Sequence, residues 1–173
     1  MTRRQFDEQL ALLKDELIAM GNMNCKAIDD AVGALEKQDV ALAKQTKGIE
    51  TQVDEKEMEI ERLCLKLILK QQPVASDLLF VTSAMKMIPD MERIADQAVD
   101  ISELVIKMTR LPYADSVSEI SAMAEQVQQL VRGASHLFFH LDRDLRNAAC
   151  RSGDTAHDTA PLTATTLPLT LPP

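Results

Sequence analysis

Apolar residues recur at alternating steps of three and four along most of the first 110 residues. This spacing is typical of one face of a long α-helix. Three rows can be separated: Phe6, Leu10, Leu13, Leu17, Met20, Ala27, Ala31 and Ala34; then Ile49, Val53, Ile60, Leu63 and Leu67; then Leu78, Val81, Met85, Ile88, Ala95 and Val99. One polar residue, Asn24, interrupts the first row. The pattern predicts three long helices that each bury one face.

The breaks between these rows are short. Gln38 and Asp39 separate the first two rows, and Asp39 can cap the helix that follows. Pro73 ends the second row and Pro112 ends the third, because proline lacks the amide hydrogen that a continuing helix needs. Helices joined by such short turns lie antiparallel. We therefore predict an all-α fold in which residues 1–111 form an up-down-up three-helix bundle.

The pattern of the first helix returns 103 residues later. The paired positions are Met20 with Met123, Ala27 with Leu130, Ala31 with Ala134, Leu35 with Phe138, Asp39 with Asp142, and Leu42 with Leu145. This internal repeat predicts that residues 112–150 form the first helix of a second bundle. Residues 151–173 are instead rich in Thr, Pro and Leu and lack helical periodicity. We expect a disordered tail and an incomplete second bundle.

Composition narrows the classes of partner. The 27 acidic residues against 19 basic ones give a net charge of −8, which disfavours binding to nucleic acid or anionic lipid. No stretch is apolar enough to span a bilayer, and the N-terminus lacks the apolar core of a signal peptide. We expect a cytoplasmic protein without membrane insertion. The three cysteines have no paired spacing and indicate buried free thiols.

Two groups of acidic residues follow helical spacing on neighbouring helices. Glu92, Asp96 and Asp100 recur every fourth residue on the third helix, and Asp54, Glu57 and Glu61 do so at steps of three and four on the second. Glu57 and Glu92 are almost equally distant from the turn near Pro73, as are Asp54 and Asp96. In an antiparallel pair, residues equally distant from the turn lie at the same height. The two acidic groups should therefore face each other.

Such a cluster of carboxylates repels itself unless protons or cations neutralise it. Oxygen donors suit Mg²⁺, Mn²⁺, Ca²⁺ or iron, so we interpret these acids as metal ligands. Zinc is a further candidate for the bound ion. The alternative is a set of solvated charges with Arg62 and Arg93 as counterions. A di-iron enzyme or metal-storage bundle is a rival, although the Glu-x-x-His pair of that class is absent. No catalytic motif is visible, and we expect no enzyme activity.

Three stretches carry a specific resemblance to a known family. QQPVASDLLFVTSAMKMIPDMERIADQAVDISE resembles the signature of the PhoU family of phosphate-uptake regulators, with its Gln-Pro turn and its Glu-Arg-Ile-Gly-Asp motif. FDEQLALLKDELIAMG and VDEKEMEIERLCLKLI resemble the first two helices of the family. The resemblance covers residues 3 to about 150. It implies two three-helix bundles in tandem, each with a multinuclear metal site on Glu/Asp-x-x-x-Asp motifs.

The resemblance also implies ligands and partners. Glu92 and Asp96 match the motif on the third helix, Glu57 and Glu61 are its counterpart on the second, and Asp54 and Asp100 flank them. Members of this family are adaptors and not enzymes. They link the ATPase of the phosphate ABC transporter to a sensor histidine kinase, and they damp phosphate uptake and starvation signalling when phosphate is plentiful.

The sequence departs from the family pattern in two ways. Ala95 stands where the family usually has glycine, which slightly narrows the approach to the ligands. The second and third helices of the second bundle are missing. The apolar face of the fourth helix carries Leu130, Leu137, Phe138 and Phe139, and it is then covered by the first bundle, by another copy, or by nothing. We expect a homodimer or poor solubility.

Overall fold

A computed structural model describes the backbone of residues 3–71, 73, 75–108 and 117–152. Four helices account for nearly all of this part: α1 (Arg3–Lys37), α2 (Val40–Gln71), α3 (Ala75–Met108) and α4 (Ser118–Ser152). The described residues contain no β-strand. The all-α prediction is therefore confirmed. The tail was predicted for residues 151–173, and its first two residues belong to the end of α4. The rest of that tail and the predicted boundary at Pro112 lie outside the described residues.

The turn between α1 and α2 is built by two adjacent residues. Gln38 has a φ of 53°, and the amide of Asp39 donates to the Ala34 carbonyl at 3.0 Å, which closes α1 with a left-handed C-terminal cap. The Asp39 carboxylate then accepts from the amides of Ala41 and Leu42 at 2.8 and 3.1 Å. Asp39 is thus the N-cap of α2, as predicted.

Contacts between side chains fix the directions of the helices. Lys56 of α2 donates to Glu16 of α1 at 2.7 Å, while Lys66 donates to Gln9 at 3.0 Å. Residue numbers therefore rise along α2 as they fall along α1, so the two helices are antiparallel. α3 packs against both and completes the up-down-up bundle.

The predicted rows form most of the core. The largest wholly buried side chains are Phe6, Leu13, Leu17, Met20, Ile60, Leu67, Val53, Val81 and Val105. Each fully buried Leu or Phe contributes about 1.5–3 kcal/mol to the free energy of unfolding. Asn24 does not interrupt the buried row, since its side chain is itself fully buried and donates to the Met91 carbonyl at 2.8 Å.

The start of the third row was predicted wrongly. Leu78 is 39% exposed, whereas Phe80 is 5% exposed and Asp77 is buried. Asp77, Phe80 and Val81 follow the three- and four-residue spacing of one helix face, and Leu78 lies about 100° around the helix from Asp77. The buried face of α3 therefore begins at Asp77.

α4 runs antiparallel to α1 and packs on the bundle. The Ser121 hydroxyl donates to Glu36, and the Gln128 amide donates to Asp29 at 2.5 Å. Farther along, Phe138 stacks on Phe80 of α3 with 4.9 Å between ring centroids. The first bundle thus covers part of α4, while several apolar side chains of α4 remain exposed.

Two further expectations can be compared with the described residues. Cys25 and Cys64 are buried free thiols, as predicted, and the side chain of Cys150 is outside the described set. None of the described helices combines the length and the apolarity that a crossing of the bilayer demands.

Candidate functional site

The contact between α2 and α3 brings carboxylates of both helices together. Oxygen atoms of Asp54 on α2 and of Glu92 and Asp96 on α3 all lie within 4.8 Å of one another. The three side chains keep partial access to solvent. The expectation that the two acidic groups face each other at one height is therefore met by these three residues.

Glu57 belongs to the same electrostatic group. Burial raises the pKa of Glu57, and the charges of Glu61, Asp54 and Asp96 raise it further. Burial likewise raises the pKa of Glu92, followed by the charge and hydrogen bond of Asp96 and by the charges of Glu57 and Asp54. Each helix thus contributes two mutually repelling carboxyl groups to one place.

Glu50 extends this group by one turn of α2 and was missed in the sequence. Burial raises the pKa of Glu50, as do the charges of Asp96 and Asp54, while the neighbouring Lys47 lowers it. The sequence does contain a signal for Glu50, because this residue lies four residues before Asp54 and so shares its helix face. The cluster is longer along α2 than the predicted set.

The other two predicted residues lie at the edge of the cluster. Glu61 is exposed, and its charge raises the pKa of Glu57. Asp100 is also exposed and is not among the three carboxylates that lie within 4.8 Å of one another. Binding of a metal by any of the six predicted residues stays a prediction.

Two basic residues near the cluster, Arg93 and Lys56, form ion pairs with other acids. Arg93 pairs with Asp90 at 3.6 Å, and Lys56 pairs with Glu16 and Glu59 at 2.7 and 2.6 Å. Within the described part of the chain, no lysine or arginine forms an ion pair with the four carboxylates that α2 and α3 bring together. The alternative in which Arg62 and Arg93 act as direct counterions therefore has no supporting contact.

The donor chemistry fits a hard cation. The group offers carboxylate oxygens from two helices, and its members are accessible from solvent, so an ion can enter. Cys64 carries the only thiol of α2, but it is buried, and burial together with the charge of Glu61 raises the pKa of its thiol to about 11. A thiol that stays protonated is a poor metal ligand. The arrangement favours oxygen-preferring ions.

Comparisons with known proteins identify the family to which the chain is similar. The model of the PhoU domain family matches residues 17–105. A phosphate-specific transport system accessory protein PhoU homolog from Clostridium acetobutylicum is 34% identical over 155 residues, which are 89% of this chain and 71% of that protein. One from Pseudomonas putida is 33% identical over 143 residues, 82% of this chain and 56% of its own length.

A solved structure is similar over the same region. The crystal structure of PhoU from Pseudomonas aeruginosa aligns with a TM-score of 0.74 and 31% sequence identity. The alignment covers 87% of this chain and 72% of that one. The chain thus spans between 56% and 72% of the lengths of these three proteins.

Proposed function

The chain belongs to the PhoU family, and from this membership we propose that it acts as an accessory protein of a phosphate-specific transport system. The relatives carry that function in their names. We further propose that it damps phosphate uptake and the starvation response by linking the transporter ATPase to a sensor histidine kinase. This adaptor acts on the cytoplasmic side, where the ATPase works, and performs no catalysis.

A cation bound between α2 and α3 is the second part of the proposal. Asp54, Glu57, Glu92 and Asp96 supply its ligands, and Glu61 and Asp100 lie at its margin. The observation that carries this part is the convergence of carboxylates within 4.8 Å without a basic partner among the described residues. A cation would offset their repulsion and hold α2 against α3, which would stiffen the bundle that meets its partners.

Metal analysis tests the cation site. The wild type is compared with a Glu92→Ala/Asp96→Ala variant and with a Glu55→Ala/Glu59→Ala variant, which removes two acids of the same spacing from an exposed part of α2. We expect the wild type and the second variant to retain metal after dialysis and the first to lose it. Equal metal content in all three proteins would refute the proposal of a cation site between α2 and α3.

Regulation is tested in cells. Deletion of the gene should raise alkaline phosphatase activity in phosphate-rich medium, and the wild-type chain should restore repression. Complementation by the Glu92→Ala/Asp96→Ala variant then shows whether the cation is needed for signalling. Unchanged alkaline phosphatase after deletion would overturn the regulatory proposal and leave the metal analysis unaffected.

A further inference from the structure

The end of the α2–α3 hairpin near Pro73 carries a local positive charge. Residues 62–89 include one acid, Asp77, which is buried, and four exposed bases: Arg62, Lys66, Lys70 and Lys86. This segment therefore has a net charge of +3, although the whole protein has a net charge of −8. The overall composition thus conceals a separation of charge along the hairpin.

These four bases have no acidic partner within the part of the chain that the structure describes. Arg62, Lys70 and Lys86 take part in no ion pair there. Lys66 donates to the side-chain oxygen of Gln9 at 3.0 Å, which is a neutral group. The positive charge of the hairpin end is therefore not offset by direct contacts.

The acid that lies beside the two lysines of α2 is engaged with another base. Lys66 and Lys70 line a polar cavity of about 390 Å³ together with Glu8 of α1. The Glu8 carboxylate accepts a hydrogen bond from Arg4 at 3.1 Å. Both lysines are therefore available to acids from outside the described chain.

Exposed leucines lie among these bases. Leu65 and Leu69 of α2 are 43% and 80% exposed, and Leu78 of α3 is 39% exposed. Leu65 comes four residues after Glu61, and Leu78 comes two heptads before Glu92, so the leucines continue the faces through which α2 and α3 meet at the acidic cluster. We call the three leucines and the four bases the hairpin face.

The order of residues in the hairpin face indicates what can dock there. Lys66 and Lys70 each follow one of the leucines of α2 by one residue, so they flank the apolar strip on one side, and Lys86 of α3 lies across from them. A helix with an apolar stripe and acids on both flanks is complementary to this arrangement. We propose that the hairpin face docks an acidic amphipathic helix of a partner protein. The proposal depends neither on the cation site nor on the phosphate-regulatory function.

The acids beside the hairpin face favour a helix over an anionic lipid surface. Glu61 is exposed one turn before Leu65, and the acidic cluster follows beyond it. A docked helix about 10 Å across covers the leucines and the bases without reaching these acids. A bilayer is an extended surface, so its anionic headgroups would also approach Glu61 and the cluster and be repelled.

Fluorescence anisotropy with labelled peptides of three heptads tests the proposal. One peptide has leucine at the first and fourth positions of each heptad and glutamate at the positions that flank this stripe; the other has glutamine in place of glutamate. We expect the full chain to bind the glutamate peptide at least tenfold more tightly. Non-specific electrostatics would favour the glutamine peptide, because the protein as a whole is negative.

Charge reversal locates the binding site. Lys66→Glu/Lys70→Glu should raise the Kd for the glutamate peptide at least tenfold. Lys44→Glu/Lys47→Glu is the matched control, since it reverses two exposed lysines at the other end of α2 and changes the net charge equally. Leu69→Ser should also weaken binding, because it removes an apolar contact without changing the charge. Circular dichroism checks that all variants remain folded.

Three results would overturn the proposal. The first is a glutamate peptide that binds no more tightly than the glutamine peptide. The second is equal weakening by the two charge-reversal variants, which would show that only net charge matters. The third is co-sedimentation of the chain with vesicles of phosphatidylglycerol and phosphatidylcholine, lost in Lys66→Glu/Lys70→Glu, without binding of the glutamate peptide; the hairpin face would then recognise anionic lipid.

Discussion

Replacing Glu92 by glutamine should stabilise the metal-free protein at neutral pH. The Glu92 carboxylate lies within 4.8 Å of the carboxylates of Asp54 and Asp96. Because the group is partly exposed, the dielectric constant of water is the appropriate limit, and each pair at this distance costs about 0.9 kcal/mol. Glutamine has nearly the same shape without the charge. Removing two repulsions should therefore raise the free energy of unfolding by about 1–2 kcal/mol.

Urea denaturation in the presence of a chelator measures this change. We expect a higher midpoint at pH 7 with an unchanged m-value. In thermal unfolding, the same gain corresponds to an increase in Tm of about 2–4 °C per kcal/mol for a chain of this size. Glu55→Gln is the control, since Glu55 is exposed on α2 and is not one of the clustered carboxylates.

Two further conditions sharpen the test. The stabilisation should be smaller at pH 4 than at pH 7, because the raised pKa of Glu92 lets its carboxyl gain a proton and lose its charge as the pH falls. An added divalent cation should stabilise the wild type more than the variant, since a cation binds the folded ligand set. If Glu92→Gln destabilises the chelated protein at pH 7, repulsion does not dominate the cluster and the electrostatic reasoning is refuted.

Three other predictions concern single features. The raised pKa values of Glu50, Glu57 and Glu92 mean that the folded state binds more protons than the unfolded state just above pH 4.5. These groups should therefore make the chelated protein less stable as the pH rises through the raised values, and a Glu50→Gln/Glu57→Gln/Glu92→Gln variant should show a weaker decline in urea titrations. Gln38→Gly should raise the free energy of unfolding by about 0.5–1 kcal/mol, because glycine adopts the positive φ of the turn without strain; an unchanged urea midpoint would count against this account. Asn24→Leu should also stabilise, by about 1 kcal/mol, since the Asn24 Oδ1 atom is buried without a hydrogen-bond partner; a lower Tm would show that the amide is needed.

Much of the fold follows from local patterns in the sequence. The rows of apolar residues define α1 to α3, and Asp39 and Pro73 define where the helices turn. The height of the acidic cluster follows as well, because the distance of a residue from a short turn fixes its height in an antiparallel pair. The sequence alone therefore predicts that Asp54, Glu92 and Asp96 lie together, as they do in the structure.

The failures arise where the exposed face of a helix depends on its neighbours. Leu78 fits the apolar spacing as well as Asp77 does, yet the rotation of α3 against α1 and α2 buries Asp77. Asn24 interrupts the apolar row in the sequence, although a hydrogen bond to the Met91 carbonyl lets the polar side chain stay in the core. Spacing gives the period of a helix, whereas the contacts of the whole bundle decide its rotation.

α4 shows this limit most clearly. Its apolar positions repeat those of α1, and the repeat alone predicts that they are buried. In the structure, however, α4 docks on α1 through polar contacts such as Gln128 with Asp29, and Met123 and Leu130 face outward. On α1, the apolar row is covered by both α2 and α3. The described residues contain no further pair of helices that could cover the corresponding positions of α4. The exposure of these positions on α4 therefore follows from how the four described helices pack, which the local spacing of apolar residues does not encode.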